Sequence, residues 1–174
     1  MDRNKKNKTK IQISEGKRIM NDWDWSMAIA LEQAEVAYKL GEVPVGAVLL
    51  SQDGKIIAKT YNKKETEFNP CGHAEILAIQ EAAKNLKNWR LVGATLVVTL
   101  EPCLMCMTAM IQARIKQLVF GAYDPKGGAL SLGYHFQHDS RLNHHFSIIG
   151  GWRHYETSKI LSQFFKERRE SYRP

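Results

Sequence analysis
The sequence predicts an α/β domain in which helices pack over a mixed sheet. Short apolar runs at residues 45–50, 55–61, 96–100 and 117–121 alternate with stretches of helical periodicity. Asp53-Gly54 joins the first two runs as a hairpin, whereas the strand–helix–strand order across 96–121 puts a helix over the sheet and the functional site at strand ends. With 44% apolar residues in a chain of 174, there is enough material for one domain with a sizeable core.

The domain is expected to span 23–174. Met27, Leu31, Ala34 and Tyr38 recur at helical spacing, Asp24 or Ser26 can cap the start, and Gly41 ends the segment. Gly46, in the first strand, has no side chain to pack. Either a ligand approaches its backbone, or a helix packs close to a bend. Asn62 follows the second strand, where an asparagine serves as a turn residue or as a two-way hydrogen-bonding group for a ligand. Residues 72–86 form a second helix, with Ile76, Leu77, Ile79, Ala82, Ala83 and Leu86 on a broad buried face.

Residues 96–100 form a central strand that Glu101-Pro102 stops. Cys103 starts a third helix running to about Ala113, and Pro102 suits that transition because its missing N–H is no loss there. Met105, Met107 and Met110 are core or interface fill. After the strand 117–121 comes a loop with two glycines, in which Asp124 can cap a turn. A short strand at 146–149 and a helix over 156–169 close the chain, the helix carrying Ile160, Leu161, Phe164 and Phe165 beside Lys166, Arg168 and Arg169.

The charge pattern qualifies any nucleic-acid reading. The chain carries a net charge of +7, from 25 Lys and Arg against 18 Asp and Glu. Residues 1–20 hold seven of the basic groups and two of the acidic ones, so the remaining 154 residues carry only +2. Residues 1–22 are expected to be a flexible basic extension that strengthens nonspecific contact with phosphates or is simply solvated; base selectivity does not arise there. No apolar run reaches transmembrane length, and no hydrophobic segment follows the basic start, so no membrane association is expected and the cytoplasm is the expected compartment. The three cysteines make no disulfide framework. G-x-x-x-x-G-K-[ST] is absent, and no nucleotide cofactor is expected.

His73-Ala74-Glu75 and Pro102-Cys103-Leu104-Met105-Cys106 carry the chemistry. Cys103 and Cys106 are three apart and share a helix face, so one imidazole and two thiolates can hold a zinc that keeps an open position. Glu75, two residues past His73, misses the metal but reaches a proton on bound water. A lone CxxC also suits a redox pair or half a structural zinc site. Joined to H-x-E, it resembles the signature of the zinc-dependent nucleobase deaminases. His135, His138, His144, His145 and His154 are irregularly spaced and are assigned no metal.

From about Trp25 to Arg169 the chain resembles the bacterial tRNA adenosine deaminases, which convert the wobble adenosine of a tRNA anticodon to inosine. The resemblance rests on Glu42-Val43-Pro44-Val45-Gly46-Ala47-Val48, Asn62, His73-Ala74-Glu75, Ala94-Thr95-Leu96, Val98-Thr99-Leu100-Glu101-Pro102-Cys103, Val119-Phe120-Gly121-Ala122, Asn143-His144 and Phe164-Phe165. It implies a three-layer α/β/α cytidine-deaminase-like fold with a five-stranded mixed sheet. It further implies one Zn2+ per subunit on His73, Cys103 and Cys106, with Glu75 as the proton shuttle for a zinc hydroxide that attacks carbon 6 of adenine and releases ammonia. Val45, Asn62, Ala74, Asp124, Asn143, His144, Phe165 and Arg168 are the implied substrate contacts. A tRNA anticodon stem-loop is the implied partner, bound by a homodimer whose RNA groove uses both subunits.

The chain departs from the family pattern at Cys71-Gly72, where relatives have Thr-Ala, and at Met107-Thr108, where they have Ala-Gly. Both changes are expected to crowd or loosen the rim of the zinc pocket. Cys71 is expected to point away from the metal, since a third thiolate would exclude water. Two alternatives share the motifs: a deaminase of a free base such as guanine or cytosine, and an inactive zinc-stabilised RNA-binding subunit.

Overall fold
A computed structural model describes residues 23–171; the basic extension assigned to 1–22 lies outside the described residues. The sheet has five strands, β1 (Gly46–Leu50), β2 (Ile56–Tyr61), β3 (Thr95–Leu100), β4 (Gln117–Ala122) and β5 (Ser147–Ile149). Their order is β2-β1-β3-β4-β5, with β1 antiparallel to both β2 and β3, and β3, β4 and β5 parallel. The sheet is therefore mixed, and the hairpin carries a bulge between Leu49 and Leu50.

Four helices cover the two faces: α1 (Asp24–Lys39), α2 (Ala74–Leu86), α3 (Leu104–Ala113) and α4 (His154–Ser171). Strand alternation sorts the core into two layers. Ala47, Leu49, Leu96, Val98, Leu118 and Phe120 point toward α2 and α3, in the larger cluster. Val48, Leu50, Val97 and Val119 point the other way, onto Met27 and Ala30 of α1. Phe120 is fully buried, which stabilises the fold by roughly 2–3 kcal/mol.

The buried stripe of α1 is Met27, Ala30, Ala34 and Ala37, narrower than the sequence suggested, because Leu31 and Tyr38 are only half-buried. Its small side chains let the helix lie almost on the strand. A Cβ on Gly46 would stand 2.0 Å from the Ala30 carbonyl oxygen and 2.5 Å from the Ala34 nitrogen. Gly46 therefore serves helix packing, and the ligand-approach reading falls. The N-cap residue of α1, Trp23, makes no side-chain cap bond; Ser26 bonds back to the Trp23 carbonyl and Asp24 accepts from the Trp152 indole at 2.9 Å.

Helix α2 begins two residues later than expected, because His73 is extended and stands at its N-cap position. Ala74, Glu75, Ala78 and Ala82 are its buried residues, whereas Ile76, Leu77, Ile79 and Ala83 are only half-buried and Leu86 is 49% exposed. The broad apolar face is thus left partly open. With Trp89, Ala109 and Ala113, residues Ile76, Ile79 and Ala83 line a groove of about 590 Å³. Met107 and Met110 are fully buried core fill, as expected. The last helix is longer than expected at both ends, and a 3-10 turn at Phe136–His138 was not foreseen.

Candidate active site
Strand register gathers the site at one rim of the sheet. Gly46 pairs with Tyr61 and Ala47 with Val98, so Val45, Asn62 and the segment after β3 all emerge on the same side. Leu100 pairs with Ala122, which brings the loop holding Asp124 to that rim as well. Two bonds then pin the end of β2 to the start of α2. Thr60 Oγ1 donates to the Ala74 carbonyl at 2.7 Å, and the Lys63 N–H donates to Gly72 at 2.9 Å. Asn62 is thereby bracketed beside His73.

The three metal-type donors converge. His73 Nδ1 lies 3.6 Å from both Cys103 Sγ and Cys106 Sγ, and the two sulfurs are 3.7 Å apart. A tetrahedral zinc with bonds of about 2.3 Å to sulfur and about 2.0–2.1 Å to nitrogen requires edges near 3.6 and 3.8 Å. The triangle fits that ion as it stands. Among the described residues, His73, Cys103 and Cys106 are the group placed to hold a metal. Cys106 is buried, while His73 and Cys103 are half-exposed, so the cluster is open on one side.

The electrostatics favour the thiolate at one of the two sulfurs, Cys103. The hydrogen bond from Cys106, and after burial is offset the one from His73, push the Cys103 thiol down to about 4. Cys106 is pushed up by the same shared hydrogen bond and by burial. The bond to Cys103 raises the His73 pKa. Glu75 is 4% exposed, and burial raises its pKa above the usual glutamate value. A buried carboxyl on the first turn of α2 beside the donors is placed for proton transfer.

Cys71 is exposed and is not part of the donor cluster; its N–H donates to Asn69 Oδ1. Of the other departures, Met107 is in the core, and Thr108 is exposed and bonds back to the Leu104 carbonyl.

The implied substrate residues fare unequally. Val45 is 7% exposed and its carbonyl accepts the Asn62 N–H at 3.0 Å. Asn62 is 6% exposed, and its Nδ2 donates to Glu42 at 3.3 Å. Asp124 caps its own turn by accepting the Lys126 N–H, while its backbone N–H donates to Glu101 at 3.0 Å. Phe165 is 44% exposed beside buried Phe164. Arg168 is engaged within the chain: it donates to the Gly41 carbonyl and lies over the Phe164 ring, 5.3 Å from its centroid. Asn143 and His144 are not brought to the donors. They sit at the far end of α3, where Asn143 Oδ1 accepts from Arg114 at 2.7 Å and His144 Nε2 donates to the Ile115 carbonyl at 2.7 Å. The following strand β5 pairs with the start of β4, at the opposite rim.

Two buried carboxylates were not singled out from the sequence. Glu42 is fully buried and Glu101 is 3% exposed. Each sits within the motifs that carry the family resemblance, and each interrupts an otherwise apolar segment, which is the signal that could have flagged them.

The pattern of the cytidine and deoxycytidylate deaminase zinc-binding region matches residues 20–122. The tRNA-specific adenosine deaminase of Haemophilus influenzae is 47% identical over 144 residues, covering 83% of each chain. The enzyme of that name from Bacillus subtilis is 46% identical over 144 residues, covering 83% of this chain and 89% of the relative. A solved structure from a study of A-to-I editing by tRNA:A34 deaminases at the wobble position of transfer RNA superposes with a TM-score of 0.74 at 42% identity, over 78% of this chain and 97% of that one.

Proposed function
Because the chain belongs to the tRNA-specific adenosine deaminases, a branch of the zinc-dependent cytidine and deoxycytidylate deaminase family, we infer that it converts the wobble adenosine of a tRNA anticodon to inosine. The observation that carries the chemistry is the His73–Cys103–Cys106 triangle with buried Glu75 beside it. Zinc held by those three donors supplies a Lewis acid that makes water acidic near neutral pH.

The chain's own residues do the rest. Glu75 takes a proton from the water that attacks carbon 6 of adenine, then passes protons to the ring nitrogen and the departing amine, so adenosine and water leave as inosine and ammonia. Val45, Asn62 and the backbone at Ala74 line the nucleoside's side of the pocket, and Asp124 approaches from the facing loop. Exposed Phe165 offers a stacking surface for a splayed anticodon base. An anticodon loop is already single-stranded, which lowers the cost of inserting one base.

The working unit of this reading is a homodimer. Its support is the half-open apolar groove between α2 and α3, rimmed by Trp89 at 54% exposure, a surface that a second copy would cover. The compartment is the cytoplasm, where tRNA and reduced thiols are found together; among the described residues no helix is long and apolar enough to cross a membrane. The basic extension at 1–22 adds phosphate contact.

A direct comparison tests the activity: an anticodon stem-loop with adenosine at the wobble position against free adenine, adenosine, guanine and cytosine. Inosine forms in the stem-loop far faster than any free base is consumed. Turnover of a free base with an untouched stem-loop would overturn the assignment.

A further inference from the structure
The turn that ends α1 directs a carboxylate into the protein. Gly41 adopts φ +77°, the Glu42 N–H bonds back to the Ala37 carbonyl at 2.9 Å, and the Glu42 side chain is fully buried. Its Oε1 accepts the Thr66 N–H at 2.6 Å, and its Oε2 accepts from Asn62 Nδ2 at 3.3 Å. Glu42 thus grips both the first residue of the loop between β2 and α2 and that loop's middle. The same loop ends at His73.

Burial pushes the Glu42 carboxyl up, but the backbone N–H groups of Thr66, Glu65 and Lys64 outweigh it, and the group titrates below the ordinary glutamate value. It is therefore a carboxylate at neutral pH, and a carboxylate only accepts. That settles which way round the Asn62 amide stands. Its NH2 must face Glu42, and one of its two N–H groups is occupied there.

We propose that Glu42 is a positioning residue for the deamination: it fixes the rotational sense of the Asn62 amide, so that Oδ1 and the second N–H are the groups left for the nucleoside. This rests on the reading of Asn62 as a substrate contact. Without Glu42 the amide could present either end to the pocket, and each substrate would meet a mixture of matched and mismatched edges. A misplaced contact of this kind lowers the rate without touching the metal donors.

Glu42→Gln is the discriminating variant because it is nearly isosteric. Its Oε1 still accepts the Thr66 N–H, so the loop stays anchored, but its Nε2 now faces Asn62 and calls for the reversed amide. On a wobble-adenosine stem-loop, Glu42→Gln is expected to lose about 10- to 100-fold in kcat/KM with zinc content unchanged. Asn62→Ala should lose at least as much, and adding Glu42→Gln to Asn62→Ala should cost nothing more in activity. A merely structural role would give a different result, with Glu42→Gln multiplying its own loss onto Asn62→Ala. Either that result or near-normal turnover of the single variant overturns the proposal. Amide NMR reads the same contact without turnover: the Asn62 side-chain protons should exchange slowly in the wild type and fast in Glu42→Gln, and equal exchange refutes the inference. Failure of the activity reading is separate, since the wild type itself would then leave the stem-loop unchanged.

Discussion

Glu101, just past the end of β3, accepts the backbone N–H of Asp124 at 3.0 Å. The same carboxylate accepts the Ser131 N–H at 2.7 Å and its hydroxyl, so one buried side chain ties both ends of the 124–131 loop to the residue two before Cys103. A Cβ on Gly128 would come within 2.3–2.6 Å of that carboxylate, which leaves no room for even a methyl group. Glu101→Ala should cost about 1–3 kcal/mol in urea unfolding, because the half-buried Asp124 N–H and the Ser131 N–H and hydroxyl lose their buried acceptor. Turnover of the stem-loop should fall with it while zinc is retained. Unchanged stability would show that the loop holds itself.

The metal donors and Glu75 should separate cleanly. Cys103→Ser is expected to lose most of its zinc and its activity together. Glu75→Gln should keep stoichiometric zinc and lose about 10²- to 10⁴-fold in turnover, the usual contribution of a positioned acid–base group. Cys71→Thr should keep both, since Cys71 is exposed and outside the donor triangle. Metal analysis with single-turnover assays decides all three. X-ray absorption should find two sulfur donors, and a third that disappears in Cys71→Thr would overturn this assignment.

Glu42 gives a pH prediction with a definite sign. Its folded pKa lies below the ordinary value because backbone N–H groups outweigh the burial that opposes them. The stability it contributes is therefore complete above the unfolded value of about 4.3, and is lost as pH falls through the folded one. Urea midpoints of wild type and Glu42→Gln should differ most at pH 7, by the equivalent of about 1–3 kcal/mol, and converge as pH falls through the folded value. A gap that widens in acid would mean that Glu42 is neutral in the folded protein.

Adjacent phenylalanines of α4 should behave oppositely. Phe164 is buried against Tyr38, with ring centroids 5.6 Å apart, so Phe164→Ala should cost about 3–5 kcal/mol. Phe165 is 44% exposed, and Phe165→Ala should barely move the melting temperature. It should instead weaken binding of the stem-loop, by about 1–3 kcal/mol if one base stacks there. Thermal unfolding alongside titration with labelled RNA separates the two effects.

By itself the sequence determined the element order, the mixed sheet, the donor set and the glutamate beside it. Those depend on periodicity along the chain, on turn residues such as Asp53-Gly54, and on residue types at short spacing, all local properties. Strand 95–100 and helix 104–113 fell within a residue of their expected limits for that reason. What only the tertiary structure decided depends on contacts between distant segments. Gly46 looked equally suited to a ligand or a helix until α1 came down on it. Asn143 and His144, joined to the site by resemblance alone, were carried by parallel pairing of β4 and β5 to the opposite rim. Arg168 is drawn to the carbonyl of Gly41, 127 residues away. Glu42 and Glu101 show the limit most clearly. A lone glutamate in a sequence is ordinarily a solvated charge, and only the fold surrounds these two with the backbone N–H groups that make a buried carboxylate tolerable.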